Sequence, residues 1–296
     1  MSKPKENVIK IPKFKKIFSF TGNNAYKLTD KKILNKYISF EHLEKSIRKE
    51  TITFVSPKTW QDPFERLYYN ANFEKRYKYK QPNIFCMCLT ENSAQNEAAS
   101  WKIYQNGTNE KMIKVKFNVV KMLRKLDEFC RKERWSIYIG KIDYSFSSDQ
   151  IKGLYLEEKS KYFPEDFFSD EHYFKLLLLK RKAFEFEQEV RMFLVPDEES
   201  FFIPGDENSY LKHSKDLPVD LLHIPFKYDN ETIDHLIIAP LQPFPLGDPR
   251  QKYHDELQKA EFIIYSKVLQ NLLRGVDSKK FFKQSSLYNI KEKIII

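Results

Sequence analysis

From residue 184 to 194 the chain alternates with a period of two: Phe184, Phe186, Val190, Met192 and Leu194 hold even positions, and Glu185, Glu187, Glu189 and Arg191 hold odd ones. That is the period of a β-strand with one apolar and one polar face. The spacing predicts a strand over 184–195, closed by Pro196, with all four charges on one face and Gln188 as the single polar residue on the other. Glutamate is a poor strand former, and three glutamates along one face repel, so local propensity opposes the arrangement. Departures of this kind concentrate at functional sites. Carboxylates roughly 7 Å apart on alternate strand positions can have their protonation equilibria split by mutual repulsion. Arg191 can hold one of them as a bidentate partner. A solvated charged face of an amphipathic strand explains the same alternation, and both readings stand at this level.

Elsewhere helix-period and strand-period segments interleave. Helices are predicted over 40–49, from 92 or 93 to about 105 with Gly107 as the stop, over 119–129, over 165–183, and over 251–274 after Asp248-Pro249. Strands are predicted over 25–29, 51–55, 84–90, 112–117 (half-exposed, with lysines alternating), 135–144, 221–226 and 233–239. The series is that of an α+β fold.

Several function classes are excluded by what is missing. The chain has only seven glycines among 296 residues, none in a G-x-G-x-x-G or G-x-x-x-x-G-K-[ST] arrangement, which argues against Rossmann or P-loop phosphate binding. Cys86, Cys88 and Cys130 are too few and too irregular for a disulfide framework or a four-ligand zinc site, and are read as reduced and buried. The six histidines show no H-E-x-x-H spacing, and no G-x-S-x-G elbow occurs, so no metal site is expected. With neither a secretory signal nor a long apolar run, the expected setting is cytoplasmic and without a membrane partner.

The formal charge of +10 sits at the ends: residues 1–16 carry six lysines against one glutamate, and residues 267–296 carry seven Lys/Arg against two acids. The organisation expected is a basic N-terminal arm (1–24), a catalytic-like α+β domain (25–245) and a helical, basic C-terminal extension (246–296). Basic ends add attraction to nucleic acid or an acidic partner; they also serve solubility alone.

Two further constellations stand out. Residues 56–65 place Ser56, Trp60, Asp62 and Glu65 in a loop at a strand end, where binding residues gather and where Ser-Pro and Asp-Pro also simply make turns. Trp101 and Tyr104 are i, i+3 on one helical face before Gly107, a spacing commoner in cores than in stacking platforms.

In this order, with Tyr26-Lys27 ahead of them, these segments resemble the bacterial family catalogued as domain of unknown function 2971. The likeness covers roughly residues 25–240. Departures are Gln61 where an Asn is usual, Phe184 where a Trp is expected, and Leu28-Thr29 where an arginine tends to follow. Glu187-Gln188-Glu189 also resembles the end of the ADP-ribosyltransferase pattern, and the 40–55 helix and strand ending at Ser56 is similar to the nicotinamide-pocket strand of such enzymes. The resemblance implies an ADP-ribosyltransferase-like split mixed/antiparallel β-sheet core with surrounding helices, and NAD as a substrate.

On that resemblance Glu189 binds the ribose 2-hydroxyl in the oxocarbenium-like transition state. Glu187 orients the nucleophile or takes its proton. Lys27 and Arg191 meet phosphates or fix the carboxylates, Ser56 lines the nicotinamide pocket, and Trp101 or Tyr104 stacks on a ring. The expected activity is transfer of ADP-ribose to a macromolecule, nucleic acid first, by a toxin or phage-defence effector with a neutralising antitoxin or chaperone partner. The rivals are a non-catalytic nucleic-acid or protein-binding module using the basic ends, and, last, a metal-dependent nuclease or hydrolase using Asp62, Glu187 and Glu189.

Overall fold

A computed structural model describes residues 14–16, 28–29, 31–65, 84–91, 97–105, 110–156, 176–196, 220–241, 247–273 and 281–285. Tyr26, Lys27, Gly107 and residues 165–175 of the expected helix lie outside them. The elements are β1 (Phe14–Lys16), β2 (Ile33–Ser39), α1 (Phe40–Arg48), β3 (Thr51–Val55), β4 (Phe85–Thr90), α2 (Glu97–Gln105), β5 (Met112–Asn118), α3 (Val119–Glu133), β6 (Trp135–Lys141), α4 (Ser148–Leu156), β7 (Glu189–Pro196), β8 (Leu221–Pro225), β9 (Ile233–Ile238), α5 (His254–Leu272) and β10 (Phe282–Gln284). Among the described residues no helix is long and apolar enough to cross a membrane.

The ten described strands form one mixed sheet, ordered β1-β6-β7-β4-β2-β5-β9-β10, parallel only at its two ends, β1 on β6 and β10 on β9. It forks at β4. One edge of β4 pairs with β7 from Phe85↔Leu194 to Thr90↔Glu189. The other edge meets β2 only at Asn35↔Thr90 and β3 only at Val55↔Cys86. From there β3–β8 leaves the main path. The mixed α/β architecture is therefore as the sequence predicts. Two segments expected outside the core join it: Phe14–Lys16 pairs with β6, and β10 adds a strand to a C-terminal stretch expected to be helical.

Local chemistry explains the helix boundaries. Ser39 caps α1, its hydroxyl accepting from the His42 N–H at 3.4 Å, and Leu43 and Ile47 form the buried stripe. Asn118 caps α3 in the same way through Lys121 N–H, and Val119, Met122, Leu123, Leu126 and Cys130 point inward. Both join the main core, which includes Met87, Leu89, Val190, Met192 and Leu194 on one face of the sheet. The opposite face carries a smaller cluster of Tyr138, Phe193 and Val195 under Leu176, Leu177, Leu178 and Leu179, and a third in which Trp101 of α2 packs with Tyr37 and Met112. The strand expected to be half-exposed, β5, is covered as well, with Lys114 buried and ion-paired to Glu97.

Two further expectations that the structure overturns meet at residues 180–189. The helix predicted to run to 183 does not: Leu179 bridges to Asp143, and the chain turns. The strand predicted from 184 starts only at Glu189, because Lys182–Glu187 is a 3-10 turn ending on Gln188 in the left-handed conformation, φ 46°. Gln188 Nε2 donates to the Glu185 carbonyl at 2.8 Å and locks that turn. The turn removes the like-charge row that a strand would impose: Glu185 is exposed, while Glu187 and Glu189 are buried in separate elements.

Gly140 lets the segment 176–179 that leads into the turn sit against the sheet. It pairs with Arg191, and a Cβ there would lie 2.3 Å from Cδ1 of fully buried Leu178. Gly140→Ala is expected to cost about 1–3 kcal/mol, read as a lower urea midpoint at unchanged slope; an unchanged midpoint would show that Leu178 has room to move.

Candidate functional site

Glu189, the first residue of β7, is in register with Thr90 and, through it, with Asn35. Its flank on the sheet holds polar groups where the neighbouring rows are apolar. Arg191, two residues on and on the same face, is 1% exposed and is the largest charged side chain in the interior. Its Nε donates to Glu189 Oε1 at 2.8 Å and one terminal nitrogen to the Leu177 carbonyl at 2.6 Å. The other terminal nitrogen pairs with Glu65 and reaches Glu189 Oε2 at 3.3 Å. Trp60 covers the guanidinium, its ring centre 4.0 Å from the central carbon.

Lys180 completes the cluster. Its ammonium donates to Glu187 at 2.7 Å and to Glu189 at 3.0 Å, and lies 3.5 Å from Glu65. The Glu189 N–H donates to the Tyr144 hydroxyl oxygen at 2.9 Å, and the Thr90 hydroxyl donates to the Glu187 carbonyl. Two cations thus face three carboxylates in a site with little solvent, where Coulomb interactions are strong. Beside it the Arg181 guanidinium pairs with Asp62 at 3.0 Å and stacks on Phe64 and Phe184.

The two predicted carboxylates are driven in opposite directions. Burial alone would raise Glu189, but the charges of Arg191 and Lys180 outweigh it and hold its carboxyl down to about 2. Burial raises Glu187, and there the attraction of Lys180 does not win, because the negative charges of Glu189 and Glu65 oppose it. Glu189 is therefore held as the anion, while Glu187 keeps its proton more readily than an ordinary glutamate. The phenols of Tyr104 and Tyr144 are raised, each by burial first and then by Glu187 and Glu189 among their neighbours. The Cys88 thiol is raised too, by its hydrogen bond with Cys86 and by burial.

Of the residues predicted for this site, Glu187, Glu189 and Arg191 come together, and Tyr104 stands close enough to feel both carboxylates. Trp101 does not serve as a stacking surface: it is 0% exposed, its Nε1 donates to Glu97 at 3.2 Å, and it meets Tyr37 edge-on. Tyr104, half-buried, stacks face to face on Tyr37 at 4.8 Å. Ser56 is buried as the cap of the Pro57–Thr59 turn, accepting from the Lys58 N–H at 3.4 Å. Its loop reaches the cluster through Trp60 and Glu65 instead. Lys180 went unrecognised because its neighbours Arg181 and Lys182 gave it the look of a helix C-terminus; Glu65 and Trp60 lay in a segment already singled out. Among the described residues no group of three or more His, Cys, Asp or Glu is arranged to hold a metal ion, and Asp62 is engaged by Arg181.

No family model, no curated protein and no solved structure matches the chain.

Proposed function

We propose that this chain is an NAD-dependent ADP-ribosyltransferase acting on a macromolecule, nucleic acid first, as a toxin or phage-defence effector held in check by a neutralising partner. One observation carries the reading: Lys180 joins Glu187 and Glu189, and the two carboxyls are displaced in opposite senses within one low-dielectric site. Pairs of that kind divide acid–base work between a fixed charge and a proton carrier. In the proposed reaction the bond between the ribose carbon and the nicotinamide nitrogen breaks, and its electron pair leaves with nicotinamide. The developing oxocarbenium charge is stabilised by the anion of Glu189. A nucleophile on the target then donates its lone pair to that carbon and its proton to Glu187. The half-exposed rings of Trp60, Phe64 and Phe184 lie against Arg191, Arg181 and Lys180 at the edge of the cluster and suit a planar heteroaromatic ligand. The fork of the sheet at β4 supports the split-sheet, ADP-ribosyltransferase-like form of the fold.

A second reading has its own support. Both Glu189 oxygens and the Arg191 guanidinium are fully used inside the cluster, which is how a structural ion-pair network in a binding module would look.

Glu187→Gln separates the two. Because burial already disfavours its charge, the substitution is expected to leave the melting temperature equal or higher, while transfer of label from NAD to RNA, DNA or protein falls by at least about 100-fold. Undiminished label transfer removes Glu187 from the chemistry. A wild-type chain that transfers no label to any of the three leaves the binding module standing.

A further inference from the structure

On α5 the apolar pattern exceeds what the fold buries. His254, Gln258 and Leu269 turn inward. Ile263 and Ile264 are 62% and 60% exposed, Leu257 is 39% exposed, and Tyr253, in the turn just before the helix, is 48% exposed. Tyr253, Leu257, Ala260 and Ile264 follow a 4-3-4 spacing, which sets them in one line along the helix, the seam on which two helices interlock. Single exposed apolar residues need no explanation, but a contiguous stripe does. Ala260 is exposed at its middle, a small residue that lets a second backbone approach.

The charges beside the stripe select the occupant. Asp255 and Glu256 are exposed in the first turn of α5, and Lys267 is exposed near its other end. A second copy of α5 laid antiparallel, with the dyad between Ala260 and Ile264, sets Ala260 of each chain against Ile264 of the other. It also brings the acidic first turn of each chain beside Lys267 of the other. A parallel copy would align acid with acid and lysine with lysine. The surface is thus complementary to itself in one orientation, which is the requirement of a two-fold dimer.

We propose that α5 is a self-association surface through which two copies of this chain pair antiparallel, with Ala260 and Ile264 at the centre, Leu257 of each chain against the aliphatic stem of the other's Lys267, and Glu256 beside that lysine's ammonium. The full chain measured by sedimentation equilibrium over a range of concentrations is expected to show a monomer–dimer equilibrium. Ile264→Asp should weaken it roughly 100-fold. Glu256→Lys and Lys267→Glu should each weaken it about tenfold, and the double charge reversal should restore it. All three positions are exposed, so circular dichroism and thermal midpoints should match the wild type. A chain that stays monomeric, its stripe left bare or covered by another segment such as 286–296, overturns the proposal. So does a dimer indifferent to Ile264→Asp, or a double reversal that fails to recover pairing.

Discussion

Arg191→Met is expected to destabilise the protein by about 3–5 kcal/mol, the largest loss predicted for any substitution in the cluster. The guanidinium is 1% exposed and is the partner of Glu189, Glu65 and the Leu177 carbonyl at once. Methionine fills similar volume and keeps contact with Trp60, so the loss measures charge rather than packing. What remains is the buried carboxylates of Glu187 and Glu189 and the partly buried one of Glu65, with only Lys180 among them. Desolvated charge without compensation is the expensive condition; a buried ion pair as a whole is often worth little. Arg191→Met combined with Glu65→Gln and Glu189→Gln should therefore recover most of the lost stability. Urea unfolding of the single and triple variants checks this. A single variant that loses under about 1 kcal/mol would mean that water reaches the cluster and screens it.

Acid should unfold the wild-type chain through Glu189. Its folded carboxyl is depressed from 4.5 to about 2, so the stability it contributes is fully present above pH 4.5 and is lost as pH falls toward 2. At 1.36 kcal/mol per unit this amounts to about 3 kcal/mol. Glu187 has the opposite sign: its folded value is raised, so its contribution is present below 4.5 and is lost as pH rises through the folded value. Chemical denaturation at stepped pH should show stability falling through the acid window in the wild type and in Glu187→Gln, and a clearly shallower fall in Glu189→Gln. Equal acid slopes in all three chains would remove Glu189 as the source.

The elements that the sequence made legible are those whose cause is local. Ser39 and Asn118 accept from the first turns of α1 and α3, and the apolar stripes of both helices lie within one short window. Thr51–Val55 alternates and is half-buried as that pattern requires. The segment 184–188 misled because five residues of alternation are too few to hold a strand against a 3-10 turn, which the Gln188 side-chain bond closes and which avoids the repulsion a strand would have imposed. Glu187, Glu189 and Arg191 were legible as a group of charges. Their surroundings were not, since Glu65 joins Arg191 across 126 positions of chain.

By itself the sequence determined the mixed α/β class, most helix and strand positions, and the three charged residues at the centre of the site, because capping and periodicity act over a few neighbours. Only the tertiary structure decided that the charges are buried, that Lys180 bridges the two glutamates, and that Glu187 and Glu189 are displaced in opposite directions. The reason is physical: desolvation and Coulomb interaction depend on what the fold brings within a few ångströms, and the fork at β4, the turn at 180–188 and the loop at 60–65 converge only after the sheet has formed.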